Sequence, residues 1–531
     1  MEIRMQSHEG SVVGSPSETI RQFEQETRVR QREWLERLSS EPDAFSQIEH
    51  EIDEHYRNGG GRLTAALLQQ VTSRSSMDEH VERIRQEAVI ELKSPEKRPL
   101  RVRLLCGLLL FVTTSYCAPK RNKKSVRQSV DCHAGLYPEL AAFGFGKGCS
   151  PALQYTVARI VALSPSIEVA RKELARQGIR LDKKTVRGIA EQLGVQLLAL
   201  RQRELLVWRL GQLSPGNDLA GRRVVVQIDG GRIRLRENKK RRASRPVKKN
   251  RRRKFSTPWR EPKVLTIFEI DDHGKMVKKH NQPLIDGTLL GPDHLVELVA
   301  YHLHRLGAAK AALVVFVSDG APWIWDRLDW IERRVGLDSA HTVHVLDFCH
   351  AAHHISLALG ALSLPEKRRR KLYGNLRKLL KRSRYDKVVH HLRRLARGQP
   401  ESSGVWREIR YLQKHGKQGH LNYATFRRRG IPCGSGAVES AIRRVINLRL
   451  KSNAMYWLAE NAEAIFVVRA TLLCDRWEET LARLRKSMRR DRRLDWTWIQ
   501  PDVLSELKSP ETIKPPVPQH ATIQQPTGTA A

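Results

Sequence analysis

Two aspartates in this chain close apolar β-runs. Asp229 ends RRVVVQID, Asp319 ends AALVVFVSD, and a glycine follows each. The carboxyl ends of strands are where α/β sheets place functional groups. If these two strands are neighbours, the carboxylates converge, and close carboxylates repel each other unless a cation lies between them. Mg2+ suits such a pair, because it prefers hard oxygen ligands and keeps positions for water and substrate phosphate. Two such ions roughly 3.5–4 Å apart activate the attacking oxygen and stabilise the leaving one in phosphodiester chemistry. A second metal position needs a third carboxylate. Glu439 is the candidate: it follows the breaker-rich GIPCGSGA and opens a long helix whose Ile442, Val445 and Ile446 form an apolar docking face. Asp347, in VHVLDFCH with His350 three residues on, is either a rival ligand or a supporting structural group. Plainer roles stand beside these. An aspartate before glycine also opens turns, and a glutamate in a first helical turn also complements the helix dipole.

The bulk composition says what such a site would act on. In 531 residues, 95 Lys and Arg face 57 Asp and Glu, a formal net charge of +38. A compact molecule with that excess repels itself unless a polyanion neutralises it, and nucleic acid is the natural partner. Hydrophobic residues make up 40%, enough for real cores, and roughly 150 residues per domain implies three or four units. Seven cysteines without regular spacing argue against a disulfide framework. The longest apolar run, Leu104 to Val112, is too short to span a bilayer. A soluble, cytoplasmic protein is expected.

The elements that must position the acids are legible in outline. Residues 1–98 form a helical region, amphipathic over 15–93 and interrupted by Gly59-Gly60-Gly61. Residues 99–150 hold a small hairpin around Gly107 and then a basic loop. Residues 151–212 hold three short helices, the second stopped at Gly178 and the third capped by Asp182 and ending at Gly194, followed by a connecting helix. They fit either a helix-turn-helix unit, with Lys183, Lys184, Thr185 and Arg187 at the groove, or an ordinary bundle. Residues 220–348 are the α/β heart, with strands ending at Asp229, over 263–271, in KMVKKHN, and before Asp319 and Asp347. Residues 349–429 read as basic helices, 430–475 return to the sheet with the third acid, and 476–531 hold a helix and a Pro- and Gln-rich disordered tail.

Further groups suit DNA. The stretch 236–263 is strongly cationic and includes Lys239, Lys240, Arg241, Arg251, Arg252 and Arg253. Arg443, Arg449 and Lys451 add charge beyond Glu439. Trp323 and Trp325, just after Asp319, either stack on an unpaired base or form a wall.

Four pieces in order, DGGRIRL at 229–235, SDGAPWIW at 318–325, VLDFCHAAHHI at 345–355 and GSGAVESAIRRVINLRLKSNAMYW at 434–457, resemble the DDE transposases of bacterial insertion sequences, closest to the Kra-type family and its relatives. The resemblance implies an α/β, RNase H-like mixed sheet flanked by helices, interrupted by an all-helical insertion and preceded by helical DNA-binding regions. It places the three catalytic acids at Asp229, Asp319 and Glu439. Asp229 would bridge two Mg2+ ions, with Mn2+ able to substitute, and the other two acids would each complete one site. Water would cut a phosphodiester at the element's end, and the freed 3′-hydroxyl would attack target DNA. The implied partners are double-stranded DNA, as terminal inverted repeats and target, and a second copy of the chain; no membrane is implied, and the place of action is the nucleoid. One departure stands out. Relatives tend to carry a Cys-x-x-Cys pair after the hairpin, whereas here Lys120 follows Cys117-Ala-Pro. Zinc is therefore not expected, although Cys117, Cys132, His133 and Cys149 are a possible set of ligands. Two alternatives remain: a catalytically silent, transposase-derived DNA-binding protein, and an RNase H-like nuclease.

Overall fold

A computed structural model describes residues 1–5, 13–86, 91–120, 135–238, 254–278, 283–453 and 455–490. The expected tail after about residue 509, most of the basic loop after the hairpin, and Lys239, Lys240, Arg241, Arg251, Arg252 and Arg253 lie outside the described residues.

The amino-terminal unit packs strand β1 (Glu2–Met5) and helices α1 (Pro16–Ser40), α2 (Phe45–Thr72) and α3 (Ser75–Gln86) with a hairpin of β2 (Glu96–Arg103) and β3 (Leu109–Tyr116). The strands run antiparallel in the order β1-β3-β2. The hairpin forms where the alternation placed it, with Gly107 at φ +88°. The triple glycine does not interrupt the helix: α2 runs straight through it. A Cβ at Gly59 would fall 2.2 Å from the Phe23 ring, and one at Gly61 would fall 2.4 Å from Cys106 Sγ. These glycines mark close packing rather than a break.

After the short α4 (Pro138–Ala142) come α5 (Pro151–Leu163), α6 (Ile167–Arg176) and α7 (Lys183–Arg209). Asp182 caps α7 as its position predicts, accepting hydrogen bonds from the backbone N–H groups of Lys184 and Thr185. The expected stop at Gly194 is absent, and the third helix and its connector are one continuous element.

The central sheet is built from β4 (Arg223–Gly230), β9 (Lys263–Ile270), β10 (Leu284–Thr288), β11 (Leu313–Ser318) and β12 (Thr342–Leu346). Four short strands form a ribbon between the first two: β5 (Ile233–Arg234), β6 (Glu237–Asn238), β7 (Phe255–Ser256) and β8 (Trp259–Arg260). The sheet order is β10-β9-β4-β11-β12. Its first three strands are antiparallel, and β4, β11 and β12 are parallel. The third strand expected in KMVKKHN is instead LIDGT, buried at every position. Met276 makes only an isolated bridge to Ile270. Burial outweighed alternation here, because a charged stretch cannot occupy a covered position in the sheet.

Helices α8 (Pro292–Leu306), α9 (Pro322–Trp325) and α10 (Leu328–Val335) surround the crossover through β11. Val224, Val226 and Ile228 of β4 pack with Leu295, Val299 and Ile331 on that face. Val225, Val317 and Val345 face the other way, against Ile355, Leu392 and Leu412. Those residues belong to a run of helices: α11 (Phe348–Gly360), α12 (Glu366–Lys381), α13 (Tyr385–Leu395), α14 (Gly404–Lys417) and α15 (Tyr423–Arg428). The chain then returns to the sheet through α16 (Gly436–Ile442), α17 (Ala459–Leu473) and α18 (Trp477–Arg490).

The long helix expected from Val438 is broken. A π-helical turn, Arg443–Asn447, follows α16. The buried Arg469 explains how this turn is tolerated: its Nε donates to the Val445 carbonyl at 2.9 Å, and its terminal nitrogens reach the Arg444 and Ala162 carbonyls. Among the described residues no helix is long and apolar enough to cross a membrane.

Gly194 gives a test of this packing. A Cβ there would lie 2.5 Å from the Ala464 carbonyl oxygen of α17. Helix propensity alone makes Gly194→Ala stabilising by about 1 kcal/mol. The close crossing reverses the sign, and thermal denaturation should show a loss of about 1–3 kcal/mol. A raised melting temperature would contradict the crossing.

Candidate active site

The register of the two parallel strands brings the aspartates together. Ile228 of β4 is paired with Ser318 of β11, so the next position on each strand sets Asp229 beside Asp319. Both side chains continue the face of Val225 and Val317, because alternate residues share a face. Each carboxylate engages one oxygen in its own turn. Asp229 Oδ1 accepts from the Gly230 N–H at 2.6 Å, and Asp319 Oδ1 accepts from the Ala321 N–H at 3.1 Å. The turn-forming role and the convergence therefore coexist. Tyr411 closes in behind Asp319: a Cβ at Gly320 would lie 1.4 Å from its hydroxyl oxygen, so only glycine fits there.

Glu439 reaches the same end of the sheet through two buried polar side chains. Gln227, on β4 and 1% exposed, donates from its carboxamide to the Gly434 carbonyl at 2.9 Å and accepts from the Val438 N–H at 3.0 Å. Asp347, 2% exposed, caps α11 through the His350 N–H at 2.8 Å. Its other oxygen accepts from the Ser435 N–H at 2.7 Å and faces the Ser435 hydroxyl at 3.0 Å. That hydroxyl also lies 3.2 Å from Glu439 Oε1, and its single proton serves either carboxylate. The backbone N–H of Asp347 donates to the Ser318 carbonyl at 2.9 Å, which ties the turn to the strand bearing Asp319. These contacts give Asp347 a structural role. Gln227 and Ser435 are the residues that sequence reasoning missed. A lone amide inside VVVQID was the available signal.

The electrostatics agree with this convergence. Burial pushes the Asp229 carboxyl up to about 6; the Gly230 N–H and His350 oppose the shift, and the Asp319 and Glu439 carboxylates add to it. The convergence is electrostatic rather than coordinative: among the described residues no three His, Cys, Asp or Glu side chains are already grouped to hold a metal ion. The chemistry of the donor set fits a hard divalent cation, since all three candidates are carboxylates. Cys117 and Cys149 are buried free thiols, the latter pushed up to about 11 by burial, and Cys132 and His133 lie outside the described residues.

The remaining candidates divide. Lys183, Lys184 and Arg187 are exposed on the first turns of α7, whereas Thr185 donates its hydroxyl to Asp182 and belongs to the cap. Arg443 and Lys451 are exposed. Arg449 is not available to a phosphate backbone. It is 2% exposed, donates Nε to the Val161 carbonyl at 3.3 Å, packs over the Trp457 ring, and burial lowers its pKa to about 10. Helical periodicity had placed it outside, and the π-turn rotates it inward. Trp325 is a wall: its Nε1 donates to the Asp319 carbonyl at 2.6 Å, and its ring stacks on His420 at 4.3 Å. Trp323 is half-buried, with the Lys263 ammonium 4.1 Å from its ring centre.

Compared with known proteins, the chain matches no protein-family model, no curated protein and no solved structure.

The raised carboxyl gives a stability test. A folded-state pKa above the unfolded one means that ionised Asp229 opposes folding above about pH 6 and has no effect near pH 4. Asp229→Asn should therefore be more stable than the parent by about 1–3 kcal/mol near pH 8, with the difference fading through pH 6 and gone near pH 4. Millimolar Mg2+ should raise the melting temperature of the parent more than that of the variant. Equal stability at both pH values would contradict the crowding of charge at Asp229.

Proposed function

We propose that the chain is a DDE-type DNA transposase, in which Asp229, Asp319 and Glu439 hold divalent cations for phosphodiester cleavage and strand transfer. One observation carries the reading: acids from three distant stretches face one sheet end, with the half-buried Asp229 beside Asp319 in the strand register and under the field of the other two. An RNase H-like class for the sheet draws support from its order, in which an antiparallel β4-β9-β10 meander is followed by a helical crossover into parallel β11 and β12. The five helices α11 to α15, between the last strand and the helix of Glu439, suit an all-helical insertion.

Mg2+ is the fitting ion, with Mn2+ able to substitute. When bound, such cations supply the charge that activates water or a 3′-hydroxyl and stabilises the leaving oxygen. The chain's own residues do the positioning. Gln227 and Asp347 fix the turn that carries Glu439, and Trp325 and Tyr411 wall the side of Asp319. Arg443 and Lys451 offer charge to a passing phosphate backbone. The net charge of +38 supports DNA as the polyanion. The exposed start of α7 is the candidate reader of terminal repeats, and action as a homodimer on the nucleoid is part of the same proposal.

A second reading, a catalytically silent DNA-binding protein, is favoured by one observation: among the described residues, no set of three metal ligands is already assembled.

The test is Mg2+-dependent cleavage of DNA carrying the sequences that flank the gene. Asp229→Ala and Glu439→Ala should each lower the cleavage rate by about 10²–10³-fold or more, with DNA affinity little changed. Cleavage that survives either substitution removes that residue from the chemistry. Tight, salt-sensitive binding by the parent without any cleavage establishes the second reading.

A further inference from the structure

Past Asp229, the chain alternates Arg232, Ile233, Arg234, Leu235, Arg236. Ile233 and Leu235 are buried in the core shared with α7 and α17. The three arginines therefore share the opposite, outward face. In the ribbon Arg234 is paired with Trp259 between β5 and β8, and further along Asn238 is paired with Phe255 between β6 and β7. The far edge is closed by residue 457: the Arg236 N–H donates to the Trp457 carbonyl at 2.7 Å, and the Trp457 N–H donates to the Arg234 carbonyl at 3.1 Å.

This outward face collects aromatic rings among cations. Trp259 is 45% exposed and Tyr456 is 41% exposed. The Arg234 guanidinium lies 4.8 Å from the Trp259 ring centre, and Arg236 lies 4.4 Å from that of Phe255. Lys451 approaches Trp259 at 5.9 Å, and Phe255 meets Tyr456 at 5.3 Å. Glu237, an acid on the ribbon, is already paired with Arg260. The ribbon is also close to the acids, since Gly231 packs against Ile442 and Ile446 just beyond Glu439.

We propose that this face binds unpaired nucleotides of single-stranded DNA beside the reacting end, with phosphates on the arginines and bases stacked on Trp259 and Tyr456. The inference rests on DNA being the substrate. A duplex satisfies the arginines but hides its base faces; exposed indole and phenol rings are matched only by bases that have left the stack. The cationic surround selects a polyanion over a neutral partner.

The experiment uses the full chain, a labelled mixed-sequence strand of about 20 nucleotides, its duplex, and the same strand carrying 2-aminopurine. Trp259→Ala should weaken single-strand binding about tenfold and abolish the quenching of 2-aminopurine, leave duplex binding within about twofold, and preserve the salt dependence. Trp259→Phe should restore quenching. Tyr456→Ala, on the opposite edge, should reproduce the pattern and guards against a folding defect in the first variant. Unchanged single-strand affinity and quenching, equal loss on duplex, or tighter binding of the matching RNA would each overturn the proposal. The two readings fail separately. Cleavage that needs Asp229, with quenching indifferent to Trp259, removes only this surface. Quenching that needs Trp259, without cleavage by the parent, removes only the enzyme.

Discussion

The carboxamide of Gln227 joins the two halves of the site. A polar side chain in the middle of a buried strand is costly unless every group is satisfied. Here both ends are: the amide donates to Gly434 and accepts from Val438, two backbone groups of one turn. Asp347 grips the same turn from the end of β12 through Ser435. Two parallel strands on either side of β11, β4 and β12, thus each extend one buried polar group to one loop, and that loop starts the helix bearing Glu439. Loss of either contact frees the turn from the sheet, and loss of the Asp347 carboxylate also leaves the buried Ser435 N–H without its partner, at about 1–3 kcal/mol.

This arrangement creates the tension at Asp229. Its carboxyl is pushed up by burial and by two other acids inside a strongly cationic molecule. Two arginines beyond Glu439 do not relieve it. Arg449 and Arg469 turn inward and bind backbone carbonyls, which holds the π-turn in place. The crowding of carboxylates at the sheet end is therefore built in, and a divalent cation bound there would relieve it.

Much of this was legible where one signal dominated. The strands ending at Asp229 and before Asp319 and Asp347 are mostly apolar runs bounded by turn residues, and Asp182 announced its helix by capping chemistry alone. What was not legible depended on distant partners. LIDGT contains an Asp-Gly pair that reads as a turn, yet it lies buried as an edge strand beneath α17. Gly194 reads as a stop until Ala464 is seen against it. Arg449 reads as exposed only while the helix is assumed to continue. Trp259 was hidden inside a stretch whose charge made it look like a simple basic loop, whereas the alternation of 232–236 in fact marks a ribbon.

The most direct test of the central claim, that three separated stretches meet around bound divalent cations, is local backbone cleavage by Fe2+ substituted for Mg2+, with ascorbate and peroxide. Radicals formed at a shared ion should cut the chain near residues 229, 319 and 439 together, and excess Mg2+ should suppress all three cuts. Cuts at only one of these stretches, or at none of them, would mean that the acids do not meet around an ion.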